Sequence, residues 1–116
     1  MFTVTKDFTF EAAHCLPFLP DGHKCKRLHG HSYRFRVAVS GELDWRGFVI
    51  DYAEIGAAVN PIVEQLDHRN LNDIFRFNTT AENISKWLYE EIAKSIPSVS
   101  EIVLFETAVT SVIYRP

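Results

Sequence analysis

Residues 29–40 read His29-Gly30-His31-Ser32-Tyr33-Arg34-Phe35-Arg36-Val37-Ala38-Val39-Ser40. His31, Tyr33, Phe35, Val37 and Val39 share one parity, while Ser32, Arg34, Arg36 and Ser40 share the other. Successive side chains of a strand point to opposite faces, so the alternation predicts a half-buried strand over about 31–40, ended by Gly41. The N-terminal stretch repeats the pattern. Phe2, Val4, Phe8, Phe10 and Ala12 alternate with Thr3, Thr5, Asp7, Thr9 and Glu11, predicting a strand over 2–13 whose apolar parity His14 continues. Between the two strands, Pro17, Pro20, Gly22 and several charges mark residues 15–28 as a loop. Antiparallel pairing would set the end of the first strand, with His14, beside the start of the second, with His29 and His31.

Beyond Gly41, Phe48-Val49-Ile50 is a short apolar run that fits the return arm of a hairpin. Asp51 with Glu54 starts a helix carrying Ile55, Ala58, Val59, Ile62 and Leu66 at helical spacing, and Pro61 within it predicts a kink or break. Residues 67–78 read as a loop or short turns. Thr79 with Glu82 fits the cap of a second helix with the stripe Ile84, Trp87, Leu88 and Ile92, which Pro97 stops. Strands follow at 101–106 and about 109–114. The order is that of an α+β fold, with helices on one face of an antiparallel sheet.

The 116 residues suit a single domain, 1–116. A net charge of -3, with no segment rich in Lys and Arg, argues against a protein built to grip nucleic acid but leaves room for a small anionic substrate. No apolar run approaches the ~20 residues of a membrane span. The alternating start with Lys6 and Asp7 does not read as a signal peptide, so a cytoplasmic protein is expected, with Cys15 and Cys25 as free thiols.

The chemistry-bearing residues cluster. In an extended chain His29 and His31 face the same way, and Gly30 between them leaves the approach open. With His14 they make a three-imidazole set of the kind that holds zinc and keeps one position free; the competing explanation is a coincidence of core and surface histidines. Cys25 reads equally as a buried structural thiol or as a reactive one, a zinc ligand or a thiolate among Lys24, Lys26 and Arg27. Asp67-His68 pairs a carboxylate with an imidazole, as a proton-transfer site requires, or is a polar helix end. Glu106 either reaches solvent at a strand end or accepts two adjacent N–H donors.

Taken in order, several segments resemble the 6-pyruvoyl-tetrahydropterin synthase family. They are Phe10-Glu11-Ala12-Ala13-His14, Cys25-Lys26-Arg27-Leu28-His29-Gly30-His31, Val49-Ile50-Asp51-Tyr52, Leu66-Asp67-His68-Arg69-Asn70-Leu71-Asn72, Thr80-Ala81-Glu82-Asn83 and Glu106-Thr107. The resemblance implies the tunnelling fold. That fold is a four-stranded antiparallel sheet with two helices on one face, sheets joining between subunits into a barrel, in trimers that stack as hexamers with sites between subunits. It implies zinc held by His14, His29 and His31, Cys25 as the catalytic thiol, and Asp67 and His68 as proton-relay partners across an interface. Glu106 is implied as the anchor of the pterin ring.

Lys26, Arg27 and Leu28 separate Cys25 from His29, a spacing similar to that of the bacterial 6-carboxy branch. The implied activity is the zinc-dependent conversion of 7,8-dihydroneopterin triphosphate and water to 6-carboxy-5,6,7,8-tetrahydropterin, acetaldehyde and triphosphate, on the route to 7-deazaguanines such as queuosine. The alternatives are triphosphate elimination alone, a non-catalytic zinc- or pterin-binding module, and another tunnelling-fold enzyme such as an aldolase or cyclohydrolase. The cysteine before His-Gly-His speaks against the last. Thr79 stands where the family usually has proline, a change expected to act on the helix start rather than on chemistry. Cys15 receives no role.

Overall fold

The computed structural model describes residues 1–116. Strands β1 (Phe2–His14) and β2 (His29–Gly41) form one long antiparallel hairpin, paired from Phe2 opposite Gly41 to His14 opposite His29. Helix α1 (Tyr52–Leu66) follows, then a two-residue strand β3 (Arg69–Asn70), a single helical turn α2 (Leu71–Ile74), helix α3 (Ala81–Ala93), and strands β4 (Val99–Phe105) and β5 (Ser111–Tyr114). The sheet order is β3-β1-β2-β4-β5, antiparallel throughout except where β3 runs parallel to β1.

The alternation read in the sequence sets the layers. Phe8, Phe10 and Ala12 of β1, Tyr33, Phe35, Val37 and Val39 of β2, and Ile102 and Leu104 of β4 are buried on one sheet face. Ile55, Val59, Ile62 and Leu66 of α1 and Ile84, Leu88 and Ile92 of α3 complete the same core. Phe10 stacks on Tyr33 with ring centroids 4.7 Å apart, and Phe8 on Phe35 at 5.4 Å. Each such fully buried side chain contributes about 1.5–3 kcal/mol. The opposite face is polar: Asp7 bridges Arg34 (3.0 Å) and Arg36 (2.8 Å), the latter chiefly holding its carboxyl below the usual range. No helix is long and apolar enough to cross a membrane.

Four expectations need correction. The sheet has five strands, because Asp67 accepts the Glu11 N–H (2.8 Å) and His68 donates its own N–H to the Glu11 carbonyl (2.6 Å), drawing residues 69–70 onto the edge of β1. Phe48-Val49-Ile50 is not a strand. Asp44 closes a tight loop there, its carboxylate taking the N–H groups of Arg46 and Phe48, with Gly47 at φ +86. Helix α1 runs unbroken through Pro61, since the burial of Ile62 and Leu66 beyond it outweighs one missing hydrogen bond. The cap of α3 is Thr80, whose hydroxyl takes the Asn83 N–H, rather than Thr79.

Candidate metal centre and active site

The pairing of β1 with β2 assembles the histidines: His14 lies directly opposite His29, and His31 opposite Ala12. One ring nitrogen from each falls within 4.8 Å of the others. The orientation of two rings is set from behind by backbone carbonyls. His14 Nδ1 is 2.8 Å from the Thr79 carbonyl and His29 Nδ1 is 2.7 Å from the Arg27 carbonyl. A carbonyl only accepts, so each Nδ1 carries the proton and each Nε2 presents a lone pair forward. The Nε2 atoms of His14 and His31 are buried without any hydrogen-bond partner. Burial also holds both imidazoles below the usual histidine range, which keeps them neutral and ready to ligate. Buried, unpartnered, converging nitrogens are what a metal ion satisfies, so three histidines here are placed to hold one.

Thr79 is the supporting residue that sequence reasoning missed. It is fully buried, its carbonyl orients His14, and its hydroxyl lies 3.2 Å from the same Nδ1. That hydroxyl also reaches Asn72 Oδ1, while the Asn72 amide clasps the backbone N–H and C=O of Cys15. Thr79 therefore touches the histidine cluster and leaves the helix cap to its neighbour, Thr80.

Cys25 lies in a short 3-10 turn, Lys24–Lys26, half-buried. The Leu16 N–H donates to the Cys25 carbonyl (2.9 Å), which ties the two ends of the 15–28 loop together just past His14. Cys25 then lines a cavity of about 240 Å³ with Lys24, His29 and His31. Glu106 follows β4, with carboxylate oxygens 3.7 Å from His31 Nε2 and 3.9 Å from His14 Nε2. Asp67 and His68 lie between α1 and β3. Asp67 accepts from His68 Nδ1 (2.9 Å), which leaves His68 Nε2 free. The Glu11 N–H, and after it His68, hold the Asp67 carboxyl below its usual range. His68 adopts φ 59, a strained region for a side chain with a Cβ, and is largely exposed beside a cavity of about 570 Å³ that it lines with Glu11, Ser32 and His31. No hydrogen bond or ion pair joins Asp67 or His68 to Cys25 or to the three histidines within one chain.

Tyr33 completes the floor of the cluster, edge-on to His31 with ring centroids 5.4 Å apart. Its hydroxyl is buried and unpartnered, and burial, then the Glu106 charge, raises its pKa above the usual phenol range. An unsatisfied buried hydroxyl costs about 1–3 kcal/mol. Tyr33→Phe is therefore expected to raise stability by about 1 kcal/mol in the metal-free protein, measured by urea unfolding at fixed protein concentration; a loss of stability would mean that the hydroxyl has a partner.

Comparison with known proteins bears on this arrangement. A family model described as 6-pyruvoyl tetrahydropterin synthase matches residues 3–116. A dihydroneopterin monophosphate aldolase of Pyrococcus furiosus is 39% identical over 89 residues, covering 77% of this chain and 73% of that protein. A 6-carboxy-5,6,7,8-tetrahydropterin synthase of Synechocystis is 35% identical, covering 98% of this chain and 93% of the relative. The structure of 6-pyruvoyl tetrahydropterin synthase from Caenorhabditis elegans superposes with a TM-score of 0.90 at 26% identity, covering 99% of this chain and 95% of that one.

Proposed function

The chain belongs to the 6-pyruvoyl tetrahydropterin synthase family, and from that premise we propose that it converts 7,8-dihydroneopterin triphosphate and water to 6-carboxy-5,6,7,8-tetrahydropterin, acetaldehyde and triphosphate. Residues 1–116 would act as one cytoplasmic domain, in the synthesis of 7-deazaguanines. The observation that carries the reading is the cavity shared by Cys25, His29 and His31, which sets a thiol beside a three-imidazole ligand set. The Synechocystis relative, matched over nearly its whole length, supports the carboxy-type product.

Nitrogen donors of this kind suit zinc, held by His14, His29 and His31; when bound, it would supply Lewis acidity to the oxygens of the substrate side chain. Cys25, at the cavity wall, takes a proton from that side chain. His68 moves a second proton through its free Nε2, with Asp67 fixing its tautomer. Glu106 accepts the ring N–H and the exocyclic amine in a paired hydrogen bond, which orients the ring for cleavage. Triphosphate departs by elimination, and a retro-aldol-type cut releases acetaldehyde. Hydrogen moves from side chain to ring, so no nicotinamide or flavin is needed.

Because no hydrogen bond or ion pair links Asp67 or His68 to Cys25 in their own chain, the relay is expected to use a neighbouring subunit. Trp45 is 93% exposed, and Phe2, Leu43, Phe48 and Tyr52 are also solvent-facing, apolar surface suited to such an association. A trimer or hexamer is expected by light scattering coupled to gel filtration; a monomer at working concentration would remove the shared-site mechanism.

The Pyrococcus furiosus relative favours a second reading, an aldolase acting on dihydroneopterin monophosphate. An aldolase would cut the side chain with phosphate still attached to the released fragment. Mass analysis of products from the triphosphate and the monophosphate decides between the two. Acetaldehyde with free triphosphate is the expected result, whereas a phosphorylated two-carbon aldehyde would establish the aldolase.

A further inference from the structure

We propose that Lys24 is the phosphate-binding residue of this protein, taking the triphosphate end of the substrate and so selecting phosphorylated dihydropterins. The identity of the ligand rests on the proposed function; the cation site stands on geometry. The chain carries 12 Lys and Arg against 15 Asp and Glu, and most of its cations are already committed. Seven face a carboxylate in an ion pair, Lys26 with Asp21 among them. Lys6 donates to the Tyr52 carbonyl (3.2 Å). Lys24, Arg27, Arg69 and Arg76 are left without a side-chain partner. Of these four, Lys24 and Arg69 line cavities. Arg69 shares its cavity with the carboxylate of Glu11, which offsets its charge toward an anion. Lys24 shares its own with Cys25, His29 and His31. That cavity alone, of the five in the chain, has no Asp or Glu in its wall.

The placement follows the order of groups along the substrate. Glu106, assigned to the ring, lies 3.7 Å from His31 Nε2, and His31 in turn lines the Lys24 cavity. Glu106, His31 and Lys24 therefore succeed one another as ring, side chain and triphosphate do. An ammonium is a compact charge with three donors, which suits phosphate oxygens arriving from more than one direction. Lys24 is exposed, so water and salt screen its charge, and the contact is worth about tenfold in affinity rather than more. A triphosphate presents more negative charge to one ammonium than a monophosphate does, so Lys24 favours the longer chain.

Binding of inorganic triphosphate to the metal-loaded, full-length protein tests this without turnover. Calorimetry at low ionic strength is the measurement, with metal content checked before and after because polyphosphates chelate. Lys24→Ala is expected to weaken triphosphate binding about tenfold and Lys24→Arg to restore most of it. Folding should be unaffected, because the Lys24 carbonyl that takes the Arg27 N–H (3.3 Å) is present in every variant. Arg76→Ala removes an equally uncommitted cation that lines no cavity, and should bind triphosphate as the wild type does. Unphosphorylated 7,8-dihydroneopterin should bind the wild type and Lys24→Ala alike. Wild-type triphosphate affinity in Lys24→Ala, or an equal loss in Arg76→Ala, would overturn the site. An equal loss of dihydroneopterin binding in Lys24→Ala would overturn the selection of phosphorylated substrates. If product analysis fails while triphosphate binding still depends on Lys24, the substrate reading falls and the anion site stands.

Discussion

Cys25→Ala is expected to keep its fold and its metal while losing turnover of dihydroneopterin triphosphate by a factor on the order of 10²–10⁴, the usual worth of a positioned general base. The local structure around Cys25 does not depend on its sulfur. Its N–H donates to His23 Nδ1 (3.1 Å) and its carbonyl takes the Leu16 N–H, and both bonds survive in alanine. The thiol is half-buried, so its removal leaves no large cavity in the core. The converging ligand set consists of three histidines and excludes the sulfur, so metal content should be unchanged by atomic spectroscopy. A purely structural cysteine would give a variant with normal turnover, and a metal-binding one would give a variant depleted of metal. Only the proton-transfer role separates turnover from both fold and metal.

The features legible in the sequence were those carried by side-chain pattern. Thirteen paired positions of period-two alternation specify the β1–β2 register, because a slip of one residue would turn the apolar set of one strand, Phe8 and Phe10 or Tyr33 and Phe35, to solvent. That register is also what brought His14 to His29, so parity brings the histidines together, and the resemblance is what reads them as a metal site. The features that escaped the reading are carried by backbone or by competition between equivalent residues. The carbonyls of Thr79 and Arg27 orient two histidines, yet any residue has a carbonyl, and no residue type announces that use. Thr79 and Thr80 are equally good caps on paper. Burial of Thr79 under His14 leaves only Thr80 free to accept the Asn83 N–H. Strand β3 depends on the Glu11 main chain meeting the Asp67 carboxylate and the His68 N–H across more than fifty residues. Glu106 reads in sequence either as a strand-end acid or as an acceptor of two adjacent N–H donors; only the fold reveals its oxygens 3.7 Å and 3.9 Å from two unpartnered nitrogens.

Removal of one imidazole should be more drastic than removal of the thiol. His29→Ala is the cleanest choice, because His14 is buried and bonded to Thr79, and truncating it would leave that carbonyl unsatisfied inside the core. His29 is only half-buried, and its ring holds the Arg27 carbonyl at the rim of the loop. Two histidines cannot retain an ion that three were arranged to bind, so the variant should come through dialysis against a weak chelator with metal near zero and turnover undetectable. Folding is linked to the same event. An ion present at a hundred times its dissociation constant stabilises the native state by about 2.7 kcal/mol. The melting temperature of metal-loaded wild type should therefore fall on chelation to near that of the variant, and the variant should not respond to added zinc. Full metal occupancy in His29→Ala would refute the ligand assignment. A variant that loses metal but still turns over substrate would separate the histidine cluster from the chemistry, and with it the role proposed for Cys25 beside it.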